Sequence, residues 1–286
     1  MEVVDSEYAS YRDVVSRLIK TPDQFPQLPS ITQDIRQALV RTDISMAEAA
    51  RLLSCDSVLS NILLRYASSV MMSHHMPPQN MFDVVRVLGM RQVERITLVH
   101  AIKSLFSGNT QAYTRIFAVA WDRLVQKAAA SAFIAKKVGR VAPDYALLGS
   151  LLSEVGTLAV LAAFKSGQLA VPSADIYVSL CREFAKDYGA LLLENWGVEA
   201  EYIQLIRRVG NWYMGENEPF GLVDVVNLGL YHALKARMTP QRLPPITNLA
   251  AYQKLSDKHN AITDTNELEL VVVSRDDIRL IADSLY

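Results

Sequence analysis

The stretch Leu151-Leu152-Ser153-Glu154-Val155-Gly156-Thr157-Leu158 places a hydroxyl and a carboxylate side by side in an otherwise apolar run. Around it, Leu147, Leu148, Leu151, Leu152, Val155 and Leu158 recur at three and four, the spacing of one helix face. The segment therefore reads as a central buried helix. Glu154 lies seven residues after Leu147, three after Leu151 and four before Leu158, so it falls on the apolar stripe. A carboxylate held there must find a partner or take up a proton.

Working outward, the helical period continues on both sides. Trp121, Leu124, Val125, Ala128 and Ala132 make one face of a preceding helix that ends near Gly139. Further upstream, a first helix is predicted from about Glu7 to Ile19, and Ser30 is placed to cap a second that runs to about Val40. Phe25-Pro26-Gln27-Leu28-Pro29-Ser30 between them is rigid, because two prolines forbid a helix interior. Ser45-Met46-Ala47-Glu48 is a capping box that opens a helix through Leu53. Asp56 caps the next, whose apolar face is Leu59, Ile62, Leu63, Tyr66 and Val70. Val84, Val85 and Leu88 add a turn or two broken at Gly89, and Val93, Ile96, Thr97 and His100 carry the pattern toward Phe106. Ser107-Gly108-Asn109 is the expected boundary between an N-terminal lobe and the rest.

Downstream, helices are predicted over about Ile176 to Trp196, Glu199 to Arg208 and Leu222 to Arg237, with Pro240, Pro244 and Pro245 leading into a C-terminal tail. Leu268 to Val273 is the one credible strand. Ser274 is placed to cap a final helix with Asp276 and Asp277 in its first turn. The expected fold is all-α: a multi-helix bundle with an N-terminal helical lobe and at most one small β element near the C-terminus.

Composition narrows the class. The 286 residues suffice for one large domain or two lobes sharing a core, and with half of them apolar and 21% charged the core is sizeable. The net charge is −1 and no basic face stands out, which argues against nucleic-acid binding. Cys55 and Cys181 lie far apart and outside any Cys-x-x-Cys motif, so the expectation is buried, reduced thiols in a cytoplasmic protein. Met1-Glu2-Val3-Val4-Asp5 has neither the basic nor the apolar region of a signal peptide. The run Leu158 to Phe164 is too short to span a bilayer.

Taken in order, these elements resemble the HDOD family, whose members are similar to HD-type metal-dependent phosphohydrolases without their catalytic residues. The resemblance runs from about Leu28 to about Trp212. It is carried by Leu28-Pro29, the Cys55-Asp56-Ser57-Val58-Leu59 turn, Ala67-Ser68-Ser69, Val84-Val85-Arg86-Val87-Leu88-Gly89 and Trp121. The Leu151 to Leu158 helix and Gly189-Ala190-Leu191-Leu192 followed by Trp196 complete it. Each piece is weakly specific alone; their order carries the likeness. Asp56-Ser57 stands where the family usually has Asp-Pro, and Ser68-Ser69 where it has Asn-Ser. The implied organisation is an N-terminal helix and linker over 1–27, an HDOD domain over 28–220 with its lobe to about 108 and its HD-like core from about 109, and a helical extension over 221–286.

The resemblance also implies where a metal would have been held. HD relatives write Leu-Leu-His-Asp-Ile-Gly-Lys where this chain writes Leu-Leu-Ser-Glu-Val-Gly-Thr, so the His-Asp pair becomes Ser153-Glu154. The other ligand positions fall on Arg123, on Ala185 and near Val209-Gly210. Of these only Glu154 is a metal ligand, and one carboxylate does not hold a catalytic ion. The expectation is a vestigial pocket of Arg123, Ser153 and Glu154 with no catalytic residue, no metal and no cofactor. Two arrangements stay open. Arg123 and Glu154 form an ion pair that fills the vacated site, or each reaches solvent separately; a separation beyond about 6 Å would discard the first.

Function follows from the resemblance rather than from any reactive cluster. It implies a non-catalytic output or adaptor module that works through other signalling proteins. A regulator, a kinase or a cyclic-dinucleotide enzyme would arrive as a separate chain. The alternatives are a residual metal-dependent phosphohydrolase, a pocket in which Arg123 holds the phosphate or carboxylate of a nucleotide-like ligand, and a DNA-binding regulator. The last rests on Ser45 to Tyr66, which has a helix-turn-helix layout. Its second helix offers only Asn61 and Arg65 as main polar groups, too few for base and phosphate contacts. His74-His75 reads as a surface loop, and His100 as a hydrogen-bonded core histidine.

Overall fold

Capping chemistry and apolar period between them produce fifteen α-helices among the described residues of a computed structural model, which are 2–41, 43–68, 78–106, 111–166, 170–236 and 243–285. The first is α1 (Glu2–Ile19). Next come α2 (Ser30–Val40), α3 (Met46–Leu53), α4 (Ser57–Ala67), α5 (Met81–Leu88) and α6 (Met90–Phe106). They are followed by α7 (Gln111–Val138), α8 (Pro143–Leu152), α9 (Val155–Ser166), α10 (Ala174–Asn195), α11 (Ala200–Arg208) and α12 (Leu222–Lys235). Three short helices close the chain: α13 (Ala250–Gln253), α14 (Glu269–Val272) and α15 (Arg275–Asp283).

Several helix starts follow the sequence directly. The Ser45 hydroxyl accepts from the Glu48 amide, and the Asp56 carboxylate accepts from the amides of Val58 and Leu59. Others do not. Ser30 is the first residue of α2 rather than its cap, and Pro29 holds the cap position without a side-chain bond. Ser274 precedes α15 but makes no capping bond, while Asp276 and Asp277 do occupy the first turn.

The expected strand from Leu268 to Val273 is instead the short helix α14, preceded by a single bridge between Ile262 and Leu268. A short apolar, β-branched run does not distinguish the two states, and here local i to i+4 bonding wins. Val273 donates to the Glu269 carbonyl. The central helix is also two helices. It breaks at Ser153-Glu154, where Ser153 terminates α8 and Val155 begins α9. Ser107-Gly108-Asn109, Val70, Ser69, Pro240 and His74-His75 lie outside the described residues.

Long α7 is the spine, with α8, α12 and α15 packed along it. Lining its contacts are Trp121, Leu124, Val125, Ala128, Ala129 and Ala132, all buried. The α8–α9 stretch Pro143–Phe164 is long and apolar enough to cross a membrane by length and composition alone, yet 89% of its most apolar window is buried inside the protein. Its apolar surface is spent on the core. Helix α1 packs on α9 and α10, more than a hundred residues away in sequence. The Tyr11 hydroxyl donates to the Ala170 carbonyl at 3.0 Å, and the Tyr11 ring meets Phe164 edge-on.

Trp196, a residue of the resemblance, ties the end of α10 to segments far from it in sequence. The Trp196 indole donates to the Pro26 carbonyl at 2.9 Å, just before Leu28-Pro29. Arg36 of α2 ties the same place, donating to the Trp196 carbonyl and pairing with Glu94 of α6.

Candidate functional site

The break at Ser153-Glu154 turns a carboxylate out of α8 and toward α7, where two cations meet it. Arg123 and Lys127 are four residues apart and so share one face of α7. The Arg123 guanidinium donates to Glu154 Oε2 at 2.5 Å. The Lys127 ammonium donates to Glu154 Oε1 at 2.6 Å and to Ser153 Oγ at 2.8 Å. Ser153 passes the chain on, donating to the Ser150 carbonyl at 2.8 Å. Of the two arrangements left open by the sequence, the ion pair is the one adopted.

Lys127 is the residue the sequence reading missed. It is 0% exposed, the only lysine among the described residues whose burial is complete. Burial pushes its ammonium below the usual lysine range, and Glu154 opposes that shift. Burial likewise pushes the Glu154 carboxyl up, but Lys127 and Arg123 together outweigh it and hold the group below its ordinary 4.5. Both Glu154 oxygens are thus occupied by cations.

Around this cluster lies a pocket of about 290 Å³. Arg123, Ser153, Glu154, Ala185 and Val209 all line it. The resemblance placed ligand positions on the first four and near Val209-Gly210; the fold brings them to one place. Thr157, Tyr177, Cys181, Arg182 and Lys186 complete the polar wall. The Thr157 hydroxyl donates to the Glu154 carbonyl and the Tyr177 hydroxyl to the Thr157 carbonyl. Lys186 caps the carbonyl of Val209 at 2.8 Å. Burial pushes the Cys181 thiol up to about 12, so it stays protonated.

The remaining sequence candidates lie elsewhere. His100 sits 3.6 Å from Asp56 and is partly buried; burial pushes its ring below 6.5 against the pull of that carboxylate. Cys55 is exposed rather than buried, since it falls in the turn between α3 and α4. In the helix-turn-helix segment, Leu59, Leu63 and Tyr66 are buried, and Arg65 donates to the Asp283 carbonyl of the C-terminal helix.

Comparison with known proteins gives the family and the fold. The family model described as HDOD domain matches residues 25–211, more than half of the chain. The chain belongs to the HDOD family. Among solved structures, this HDOD chain is similar to a "putative metal-dependent phosphohydrolase" of Shewanella amazonensis SB2B, at 19% identity and a TM-score of 0.77 over 97% of this chain and 100% of that one. An HDOD domain protein with unknown function from Geobacter sulfurreducens matches at 18% identity and a TM-score of 0.62, over 97% and 99% of the two chains. A "putative signal transduction protein" of Marinobacter aquaeolei VT8 matches at 21% identity and a TM-score of 0.53, over 97% of this chain and 66% of that one. At such identities the likeness is one of fold. No curated protein is similar enough in sequence to count as a relative.

A divalent metal does not fit the residues at this HDOD site. Among the described residues no group of three or more His, Cys, Asp or Glu side chains converges anywhere. In the pocket itself, Glu154 is the one carboxylate, and its two oxygens are engaged by Lys127 and Arg123. An incoming cation would have to displace a buried ammonium that has no second carboxylate to accept it.

The depressed Glu154 carboxyl carries a pH signature. A carboxyl whose value is lower in the folded chain contributes stability present above its unfolded value and lost as pH falls through the folded one. Unfolding free energy measured by urea titration is expected to drop below about pH 4.5. Glu154→Gln is expected to be less stable at neutral pH and to drop less steeply in that acidic range. Parallel profiles for the two proteins would show that Glu154 is not held ionised by its neighbours.

Proposed function

We propose that this HDOD chain is a non-catalytic signal-transduction module that acts by binding other proteins. The observation that carries the reading is the Lys127 ammonium seated on Ser153 and Glu154. A protein-supplied cation stands where the resemblance implies a metal, and Arg123 occupies the carboxylate's other oxygen. The site is thereby stabilised as a structural ion cluster without a group able to activate water. What remains is a large helical body of the kind that offers grooves and exposed helices to partners. Its partners would be signalling proteins on separate chains, such as a regulator, a kinase or a cyclic-dinucleotide enzyme, in the cytoplasm.

The test is metal analysis of the purified protein beside an assay with bis-p-nitrophenyl phosphate. The expected result is substoichiometric iron, manganese, magnesium and zinc, with no hydrolysis above buffer when each metal is added back. Stoichiometric metal together with turnover abolished by Glu154→Gln would overturn the reading in favour of a phosphohydrolase. Affinity purification from native lysate with the untagged chain as competitor checks the positive half, through enrichment of a defined signalling protein.

A further inference from the structure

A second and larger pocket, of about 610 Å³, is also lined by Arg123. Its walls come from α7, through Asp122, Arg123 and Gln126, from the end of α12, through His232, and from the C-terminal segment, through Glu267, Arg275 and Arg279. None of the last four lies within residues 25–211 that match the family model. The pocket is therefore built at the seam between the family domain and this chain's own extension.

Three observations point to a ligand there. His232 is 6% exposed, lines the pocket, and neither ring nitrogen has a hydrogen-bond partner. Glu267 lies 3.8 Å away, near enough to pair electrostatically with a protonated ring but beyond hydrogen-bond reach. A buried imidazole left in that state forfeits the bonds it would make in water. Second, Arg123 Nε is buried and also lacks a partner, although the far end of the same guanidinium holds Glu154. Third, Arg275 and Arg279, one helical turn apart on α15, both face the pocket. Arg275 reaches Glu267 only at 3.6 Å, and Arg279 makes no ion pair among the described residues.

Guanidinium groups in a fork are the side chains that recognise phosphate. A bare phosphate would leave most of the cavity unfilled, since pockets of roughly 300–1,000 Å³ hold drug-sized ligands. Asp122 and Gln126, on the α7 wall, carry acceptors suited to the amino and imino edges of a base. We propose that this pocket binds a nucleoside phosphate, its phosphate on Arg275, Arg279 and His232 and its base toward Asp122 and Gln126. The ligand would tie α15 to α7 beside the Arg123–Glu154 pair. This inference stands independently of the adaptor reading, and would supply such a module with a chemical input.

The test is isothermal titration of the full chain at low ionic strength with AMP, GMP, CMP and ADP, with adenosine, guanosine and pyrophosphate as controls. Saturable binding is expected for at least one nucleotide and not for its nucleoside. Arg275→Gln and Arg279→Glu should each weaken that binding about tenfold or more, as loss of a charge-assisted contact does. Arg279→Glu changes an exposed residue without an ion pair, so folding is retained, and an unchanged melting temperature checks it. Arg182→Glu, which lines only the Glu154 pocket, should leave affinity unchanged. The proposal is overturned if no nucleotide binds, if nucleosides bind equally well, if pyrophosphate binds and nucleotides do not, or if Arg182→Glu rather than the α15 variants abolishes binding.

Discussion

Replacing Glu154 by glutamine is expected to lower the unfolding free energy by about 3–5 kcal/mol, because it leaves a buried ammonium without its counter-charge. The size of the change follows from where the cations sit. Arg123 has a side chain about one-third exposed (34%) and can turn its guanidinium to water. Lys127 cannot; its side chain is 1% exposed, and Ser153 Oγ is its one other acceptor. Glutamine keeps the volume of glutamate, so the loss measures charge and not a cavity. Lys127→Met should cost less, since Glu154 keeps Arg123 as a partner. The double variant Lys127→Met/Glu154→Gln should recover most of the stability lost in Glu154→Gln, because replacing both partners of a buried pair with groups of similar volume is often neutral. Urea unfolding of the four proteins gives the coupling as a double-mutant cycle. Single-variant losses of less than about 1 kcal/mol, as for a surface pair, would sink the claim that this cluster is a buried cation site.

Lys127 also shows where a sequence stops being informative. The apolar period marked α7 through Trp121, Leu124, Val125, Ala128 and Ala132, and each of those residues is buried. Lys127 is three residues after Leu124 and four before Ser131, on the same stripe, and Ala128-Ala129-Ala130 directly after it continues the apolar run. That was the available signal. It is weak, because lysine stems commonly run along apolar surface while the head reaches water. Glu154 was legible because a carboxylate on a leucine stripe has no such escape, and its need for a partner led to Arg123. The break between α8 and α9 was not legible. Residues on both sides of it are buried on nearly every face, so the apolar pattern runs through the turn without a change of period. Least legible was the pocket at Arg275 and Arg279. Its lining comes from three segments separated by about a hundred residues and by a few tens of residues, and charged residues on a short amphipathic helix ordinarily read as a solvated face.

A backbone-to-backbone contact between α9 and α10 yields the second large effect. In Gly156→Ala, the added methyl group would lie 1.8 Å from the Ala185 carbonyl oxygen and 2.7 Å from its carbon. Both are backbone atoms of α10, so no rotamer change relieves the overlap. A glycine-to-alanine change inside a helix ordinarily stabilises by up to about 1 kcal/mol, and here the sign should reverse. Overpacking a core costs about 1–3 kcal/mol and at times more, and a clash of backbone against backbone belongs at the upper end. We expect a loss of about 3 kcal/mol. The damage should also reach the site, because α9 and α10 both line the pocket, through Thr157 and Ala185, and are joined by the bond from Tyr177 to the Thr157 carbonyl. Gly229→Ala supplies the contrast. Its methyl group would meet Ser131 Oγ at 2.1 Å, but that atom is a hydroxyl that can turn away, and the backbone atoms behind it stand at 3.0 Å. A smaller loss is expected there, and Gly229→Ala/Ser131→Ala should return part of it. No second substitution of a side chain should rescue Gly156→Ala in the same way. If urea unfolding ranks Gly156→Ala as the milder of the two, then α9 and α10 do not touch backbone to backbone at Ala185, and the pocket they enclose is wider than described.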